Sequence, residues 1–307
     1  MRHQCFFMRV VFIVNSISRK YSEVIKSIDQ SKSDFPTIEV EVKPTKSAGD
    51  TFRIAHHQMK GGQVNAIVAC GGDGTVNEVL NGIAFAESKE EVWMGVYQCG
   101  SANDLTKSMT PKSIPQILAA LAEKQSIPCD VGLMEHDALR KRFLNASTGG
   151  IGGLVMRRVE SGRSSLTPQL NYTLAILKSI LVFQRPRVRI TIDGEVHELS
   201  LTLIAIGNGT YMGFGLGLTP QSTMSDGLFG VTILEHATYY QLALKYLPLR
   251  KAKQVKHPWL VYLKGKKVRL EVLEGRLPIE TDGEYYDVLD AGDTIEYSFD
   301  DSKIKWV

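Results

Sequence analysis

Cys70-Gly71-Gly72-Asp73-Gly74-Thr75-Val76-Asn77-Glu78-Val79 stands between an apolar run and an amphipathic one. Before it, Ile67-Val68-Ala69 reads as a buried strand. Within and after it, Val76, Val79, Leu80 and Ile83 are spaced as one face of a helix. Three glycines and a carboxylate therefore occupy a strand-to-helix turn. Bare N–H groups and the positive end of a helix favour an anion there, often a phosphate. A carboxylate among those donors would repel a phosphate directly. Asp73 thus suggests a bridging metal ion, a bound water or a hydroxyl to be activated. The plain alternative is an Asp-Gly turn that needs positive φ. Three glycines around one Asp at a strand's C-terminal end favour the functional reading.

Working outward, the neighbouring segments repeat the same grammar. Val10 to Val14 reads as a first buried strand ending at Asn15, with a helix through Tyr21, Val24, Ile25 and Ile28. Ile38 to Val42 alternates as a second strand, and Thr45 follows its end. Asp50 to Gln58 is a predicted helix with Asp50 as its N-cap. Trp93 to Tyr97 is a fourth strand, ending at Gly100-Ser101-Ala102-Asn103-Asp104, before a helix through Ile114, Ile117, Leu118 and Leu121. Strands alternating with helices predict an α/β domain with a mostly parallel sheet. In such sheets the ligand sits outside the carboxyl ends of the strands. Asn15, Thr45, Gly71 to Thr75 and Gly100 to Asn103 all fall at such ends.

After about Asp130 the texture changes to β. Arg187 to Ile192, Asp193-Gly194 and Val196 to Ile206 predict a hairpin with a type I′ turn. Further strand-like runs are Val231 to Leu234, Val268 to Val272 and Thr294 to Ser298, with one clear helix at Gln169 to Val182. A β-rich, antiparallel second domain is expected. That shift in texture sets the predicted boundary, with 1–131 the α/β domain and 132–290 the β-rich one.

Composition fits this reading. The 307 residues suggest about two domains. A 43% hydrophobic and 22% charged balance is that of a globular chain with a good core. A net charge of +3 argues for no nucleic-acid partner, and no recognition motif for one is present. Cys5, Cys70, Cys99 and Cys129 form no C-x-x-C pair, so neither a zinc site nor a disulfide framework is expected, and a reducing cytosol is the default. The run Val10 to Val14 is preceded by Arg9 and followed by no small-residue cleavage site, which disfavours a signal peptide; Met8 could be the true start. No stretch approaches the ~20 apolar residues of a spanning helix.

Between Lys245 and Arg269 lie nine Lys or Arg residues and no acid, interleaved with Tyr246, Leu247, Leu249, Trp259, Leu260 and Tyr262. Such a segment suits an anionic bilayer surface. A solvated strand face with core residues explains it equally well. Two local motifs stay ambiguous. Asp226 in Ser225-Asp226-Gly227 could join nearby carbonyls around a cation, and Thr281-Asp282-Gly283-Glu284 could be only a tight turn, as Asp193-Gly194 is.

Taken together the motifs resemble the diacylglycerol kinase catalytic-domain family. The likeness is to its bacterial lipid kinases, with sphingosine and ceramide kinases more distant. It runs through Gly71-Gly72-Asp73-Gly74-Thr75-x-Asn77-Glu78-Val79-x-Asn81-Gly82 and Gly100-Ser101-Ala102-Asn103-Asp104. Phe143-Leu144-Asn145 with Gly150-Ile151-Gly152, Asn208-Gly209 through Asp226-Gly227-Leu228, and Asp282-Gly283-Glu284 continue it in order. The departures are Asn15-Ser16-Ile17-Ser18-Arg19 for N-P-x-S-G, Gln98 for a proline, and Phe214 for one glycine of a triple.

The resemblance implies a two-domain, ATP-dependent lipid kinase in which 1–131 binds the nucleotide, 291–307 return to that domain, and the active site lies in the interdomain cleft. By the same likeness Asn15, Thr45, Gly71, Gly72, Asp73, Gly74, Thr75, Glu78, Ser101 and Asn103 would line the nucleotide. Asp73 would help hold Mg²⁺. Asp282 would be the general base, supported by Glu284. Asp226 with the carbonyls of Thr223 and Leu228 would hold a structural cation. The implied product from diacylglycerol is phosphatidic acid, made by a cytoplasmic enzyme bound peripherally to an anionic membrane; a second copy of the chain is a further candidate partner. Two rivals remain: an NAD kinase-like phosphotransferase, since such enzymes also use Gly-Gly-Asp-Gly turns, and a catalytically silent lipid- or nucleotide-binding regulator.

Overall fold

The computed structural model describes residues 8–86, 91–161, 167–235, 251–301 and 304–307. The chain forms two units, Met1–Cys129 with Asp301–Val307, and Asp130–Asp300.

In the first unit, strands β1 (Met8–Val14), β2 (Ile38–Pro44), β3 (Ala66–Gly71) and β4 (Val92–Gln98) alternate with helices. These are α1 (Tyr21–Ser31), α2 (Asp50–Lys60) and α3 (Asp73–Phe85), then α4 (Leu105–Ser108) and α5 (Ile114–Ala122). All strand pairings are parallel, in the order C-terminal strand, β4, β3, β1, β2. Val10 to Val14 and Ala66 to Cys70 are fully buried. Strands covered on both faces need such unbroken apolar runs, which is why they carry no alternation. Val14 lies level with Cys70 and Pro44, so Asn15, Thr45 and Gly71 leave the sheet along one edge.

The second unit begins with β5 (Gly132–His136), β6 (Leu139–Phe143) and β7 (Ala146–Gly150), then helices α6 (Ile151–Ser161) and α7 (Pro168–Val182). Strands β8 (Arg187–Ile192), β9 (Glu195–Ser200), β10 (Leu203–Gly207) and β11 (Phe229–Leu234) follow. The last are β12 (Leu260–Gly265), β13 (Val268–Glu274), β14 (Arg276–Thr281), β15 (Glu284–Asp290) and β16 (Thr294–Phe299), before β17 (Ile304–Trp306) in the first unit. Two antiparallel six-stranded sheets result, ordered β12-β11-β10-β7-β14-β15 and β6-β5-β16-β13-β8-β9. Their inner faces share one core: Val188, Ile190, Val268 and Leu270 from one sheet meet Ile204, Phe229, Val231 and Ile279 from the other.

Four details differ from the sequence expectation. Asp50 is the first residue of α2, and Gly49, at φ +75°, is its N-cap. The Asp50 carboxylate instead accepts the N–H groups of Lys46 at 2.7 Å and Ser47 at 2.8 Å. The predicted strand Val196 to Ile206 is two strands in two sheets, because the chain crosses over at Leu201-Thr202, whose N–H groups bond Pro186 and Leu234. Helix α6 joins α7 where one helix was expected; Gly152 and Gly153 hid it, since glycine is a poor helix former. Finally, Thr294–Phe299 pairs with β13 and β5 and stays in the second unit. Only 301–307 belong to the first, not 291–307.

Candidate active site

The glycine turn is built by close backbone approach. Gly72 is the extended N-cap of α3 and supplies no side-chain cap, so the first-turn N–H groups keep their need for an acceptor. A Cβ on Gly100 would stand 2.4 Å from the Gly72 Cα, so the loop after β4 lies directly on the turn only because both residues are glycine. Asn103, at φ +50°, closes that loop: its Oδ1 accepts the Gly100 N–H at 2.9 Å and its Nδ2 donates to the Gly100 carbonyl at 3.0 Å. Asn15 donates to the Thr75 hydroxyl at 3.3 Å, and the Thr45 hydroxyl accepts the Ser16 N–H at 3.3 Å. The structure thus gathers Asn15, Thr45, Thr75, Gly72 and Asn103 around one sheet edge. Ser101 is exposed on the loop, and Glu78 is half-buried on α3.

Asp73 has a task its sequence position did not reveal. Its Oδ2 accepts the Asp104 N–H at 3.1 Å, and its Oδ1 accepts the Leu105 N–H at 3.2 Å and the Gln98 amide. Gln98 in turn accepts the Thr106 N–H at 2.8 Å. The carboxylate therefore ties the start of α4 to the turn, and its donors offset part of its charge. Three N–H donors fill most of the roughly four acceptor sites on its two oxygens and leave room for one further ligand. Among the described residues no cluster of three or more His, Cys, Asp or Glu could hold a metal. An anion at the α3 N-terminus, by contrast, fits the uncapped donors.

In the second unit Asp282-Gly283 joins β14 to β15 with φ +51° and +82°, the positive pair of a type I′ turn. Asp193-Gly194, at +48° and +96°, is the same turn. What separates them is burial. Asp282 is 8% exposed, and its carboxylate accepts the N–H groups of Leu144 at 2.8 Å, Asn145 at 2.8 Å and Ala146 at 3.0 Å. Asn208 holds that donor segment by donating to the Leu144 carbonyl at 2.8 Å, while the Asn208 and Gly209 N–H groups bond the Asn145 carbonyl. Glu284 pairs with Lys141 at 3.0 Å. Three peptide N–H donors therefore fix the position of the Asp282 carboxylate.

Two other expectations meet their structural context here. Asp226 pairs with Lys264 at 2.7 Å and accepts the Leu228 N–H at 3.1 Å, while the Thr223 carbonyl accepts the Ser225 N–H at 2.8 Å. A lysine ammonium thus supplies the positive charge that faces the Asp226 carboxylate. Of the basic segment, Lys245 to Arg250, including Tyr246, Leu247 and Leu249, lies outside the described residues. Trp259 packs with Leu203, Ala205 and Leu234 as a core residue, and Tyr262 accepts the Val255 N–H at 3.1 Å. Among the described residues no helix is long and apolar enough to cross a membrane.

Sequence reasoning missed Glu280 and Thr148, and it singled out Gln98 only as a departure from a proline. Glu280 is 1% exposed and directly follows Leu277-Pro278-Ile279 in β14. An acid directly after such an apolar run was the available signal. It accepts the Thr148 hydroxyl at 2.6 Å and the Gly283 N–H at 2.8 Å. Burial is the main cause that pushes its carboxyl up to about 7, with the Asp282 charge adding to it.

Comparison with known proteins places these two groups of residues in recognised domains. The diacylglycerol kinase catalytic domain model matches residues 9–134, and the YegS C-terminal NAD kinase beta sandwich-like domain model matches residues 146–296. Diacylglycerol kinases of Staphylococcus carnosus (strain TM300) and Staphylococcus aureus (strain Newman) are each 28% identical over 248 residues. Those matches cover 80% of this chain and 78% and 76% of the relatives. A solved diacylglycerol kinase structure from Bacillus anthracis str. Sterne has the same fold, with TM-score 0.69 at 18% identity over 98% of this chain and 97% of that one. Yeast NADH kinase complexed with NADH is similar in fold at TM-score 0.57 and 12% identity, over 98% of this chain and 83% of that one.

Proposed function

The chain belongs to the diacylglycerol kinase catalytic-domain family, and from that premise we propose that it transfers the γ-phosphate of ATP to a lipid hydroxyl, that of diacylglycerol, giving phosphatidic acid. The observation that carries this reading is the uncapped start of α3 packed against Gly100. Peptide N–H groups there suit the phosphates of the donor, and Asn15, Thr45, Thr75, Glu78 and Ser101 lie around the same edge for the rest of the nucleotide. Asp73 would preserve that cradle rather than touch the phosphates. Asp282 would be the general base. As the acceptor oxygen bonds to the γ-phosphorus and the bond to the ADP oxygen breaks, the hydroxyl proton passes to the Asp282 carboxylate. Phosphoryl transfer asks the protein mainly for positioning and charge stabilisation, and a general base adds typically ~10²–10⁴-fold.

Asp282→Asn should accordingly lower turnover by about 10² or more while ATP binding, read by calorimetry, stays near wild type. Wild-type turnover in that variant would remove the base assignment. The family-level test offers ATP with diacylglycerol, sphingosine, phosphatidylglycerol and NAD in parallel, with products identified by mass spectrometry. A second reading, an NAD kinase-like phosphotransferase, is favoured by the β-sandwich match and the yeast NADH kinase fold. Phosphorylation of NAD alone would establish it, and phosphorylation of nothing would mark a silent regulator.

A further inference from the structure

Glu280 has no part in the reaction as drawn above, yet it is built into the turn that carries Asp282. It lies directly across the ladder from Thr148 and accepts that residue's hydroxyl at 2.6 Å, while its second oxygen accepts the Gly283 N–H at 2.8 Å. The space is prepared for it. A Cβ on Gly152 would stand 2.3 Å from the Thr148 hydroxyl oxygen, so a glycine in α6 makes room for the hydroxyl that Glu280 holds. On the other side of β14 the register to β15 slips between Ile279 and Glu280. Bulges of this kind re-aim side chains beside functional sites. Behind the carboxyl, the Ser147 hydroxyl donates to the Glu280 carbonyl at 2.7 Å and lies 3.3 Å from the Thr281 hydroxyl and 3.2 Å from that of Tyr297. Glu280, Thr148, Ser147, Thr281 and Tyr297 are each 2% exposed or less.

We propose that Glu280 is a positioning residue for Asp282, gripping the Asp282-Gly283 turn through the Gly283 N–H and coupling its own charge to the Asp282 carboxylate. This rests on the assignment of Asp282 as general base. The groups that face Glu280 are Asp282 from the turn, Lys141 from β6 and Tyr297 from β16. Opposite it on β15 is Tyr285, whose N–H is taken by Glu160 of α6 and whose ring lies under Arg157 at 5.9 Å. Lys141 is already bound to Glu284. Burial is the main cause that raises the Glu280 carboxyl, and the Asp282 charge raises it further. When Glu280 is protonated, its O–H can donate to the Thr148 oxygen while its carbonyl still accepts the Gly283 N–H, so the turn keeps its shape. When it ionises, the bond from Gly283 becomes charge-assisted and Asp282 gains a like-charged neighbour that makes it more basic. Turnover should therefore rise as pH passes the Glu280 midpoint of about 7.

The test uses the full chain labelled with ¹³C at glutamate carboxyls. The resonance absent from Glu280→Gln is that of Glu280; it should titrate near neutrality, and Asp282→Asn should lower its midpoint. In parallel, wild-type kcat with diacylglycerol in mixed micelles should rise several-fold across the same pH range, with KM for ATP unchanged. Glu280→Gln, which copies the protonated carboxyl, should stay at the low-pH rate throughout, and Glu280→Asp, which restores the charge, should recover part of the rise. A Glu280 midpoint in the ordinary carboxylate range, or one indifferent to Asp282→Asn, would overturn the proposal. A wild-type chain that phosphorylates no lipid while the resonance still titrates and responds to Asp282→Asn would overturn the kinase reading and uphold the carboxyl pair.

Discussion

Glu280 gives the fold a pH dependence opposite in sign to that of Glu41 and Glu198, whose carboxyls lie below the ordinary value. Burial raises its carboxyl from the ordinary 4.5 to about 7. Its native state therefore binds a proton more tightly than its unfolded state does. The stability this contributes is fully present below about 4.5 and is lost as pH rises through about 7. At about 1.4 kcal/mol per unit, ionising it costs the fold at most about 3 kcal/mol at alkaline pH. Glu280→Gln should be the more stable protein near pH ~8 by up to that amount and equal to wild type near pH ~4, as urea denaturation at the two pH values will show. The contrast between Asp193 and Asp282 belongs to the same scale. Both sit first in an Asp-Gly turn and both carboxylates accept neighbouring peptide N–H groups, Asp193 from Lys266 and Lys267 and Asp282 from residues 144–146. No local sequence feature separates them; what differs is the segment that each folds against.

At the scale of elements, the decisive contact is between two loops that come from different strands. The Gly72 and Gly100 backbones touch, and Asp73 with Gln98 ties the start of α4 to the same turn. Gly100→Ala should cost about 1–3 kcal/mol by overpacking, because the atom it meets is backbone and cannot swing aside. It should also weaken ATP binding at least tenfold; thermal melting and calorimetry check the two effects separately. The elements also show where pattern reading fails. No glycine or proline interrupts Val196 to Ile206, so no turn residue marks the crossover between sheets at Leu201-Thr202. Helix α6 was concealed by Gly152 and Gly153, yet those glycines let it pack: a Cβ on Gly153 would stand 2.5 Å from the Pro278 backbone. Helix propensity there yields to tertiary contact.

At the scale of the molecule, the first unit is completed by the chain's last residues. Trp306, 1% exposed on β17, lies beside Met94 of β4 and bridges to Ile127. Trp306→Ala should destabilise that unit by about 3–5 kcal/mol, measured by urea denaturation followed by circular dichroism. The proposed membrane partner is also a whole-molecule property, since it depends on the summed charge of the basic segment. Binding to vesicles containing phosphatidylglycerol should fall as salt rises and the Debye length shrinks from ~10 Å at 0.1 M to ~3 Å at 1 M; sedimentation that is indifferent to both salt and lipid charge would remove that partner. Much was determined by sequence alone. Unbroken apolar runs ending in glycine turns dictate a parallel sheet buried on both faces, and with it the edge where Asn15, Thr45, Gly72 and Gly100 meet. Motif order dictated the family. Tertiary structure decided what each carboxylate does, because the charge state and reach of an acid depend on donors distant in sequence. Asp73, met first as an awkward anion in a phosphate turn, turns to the start of α4; Asp226 meets Lys264; and Glu280, unremarked in its strand, stands beneath Asp282.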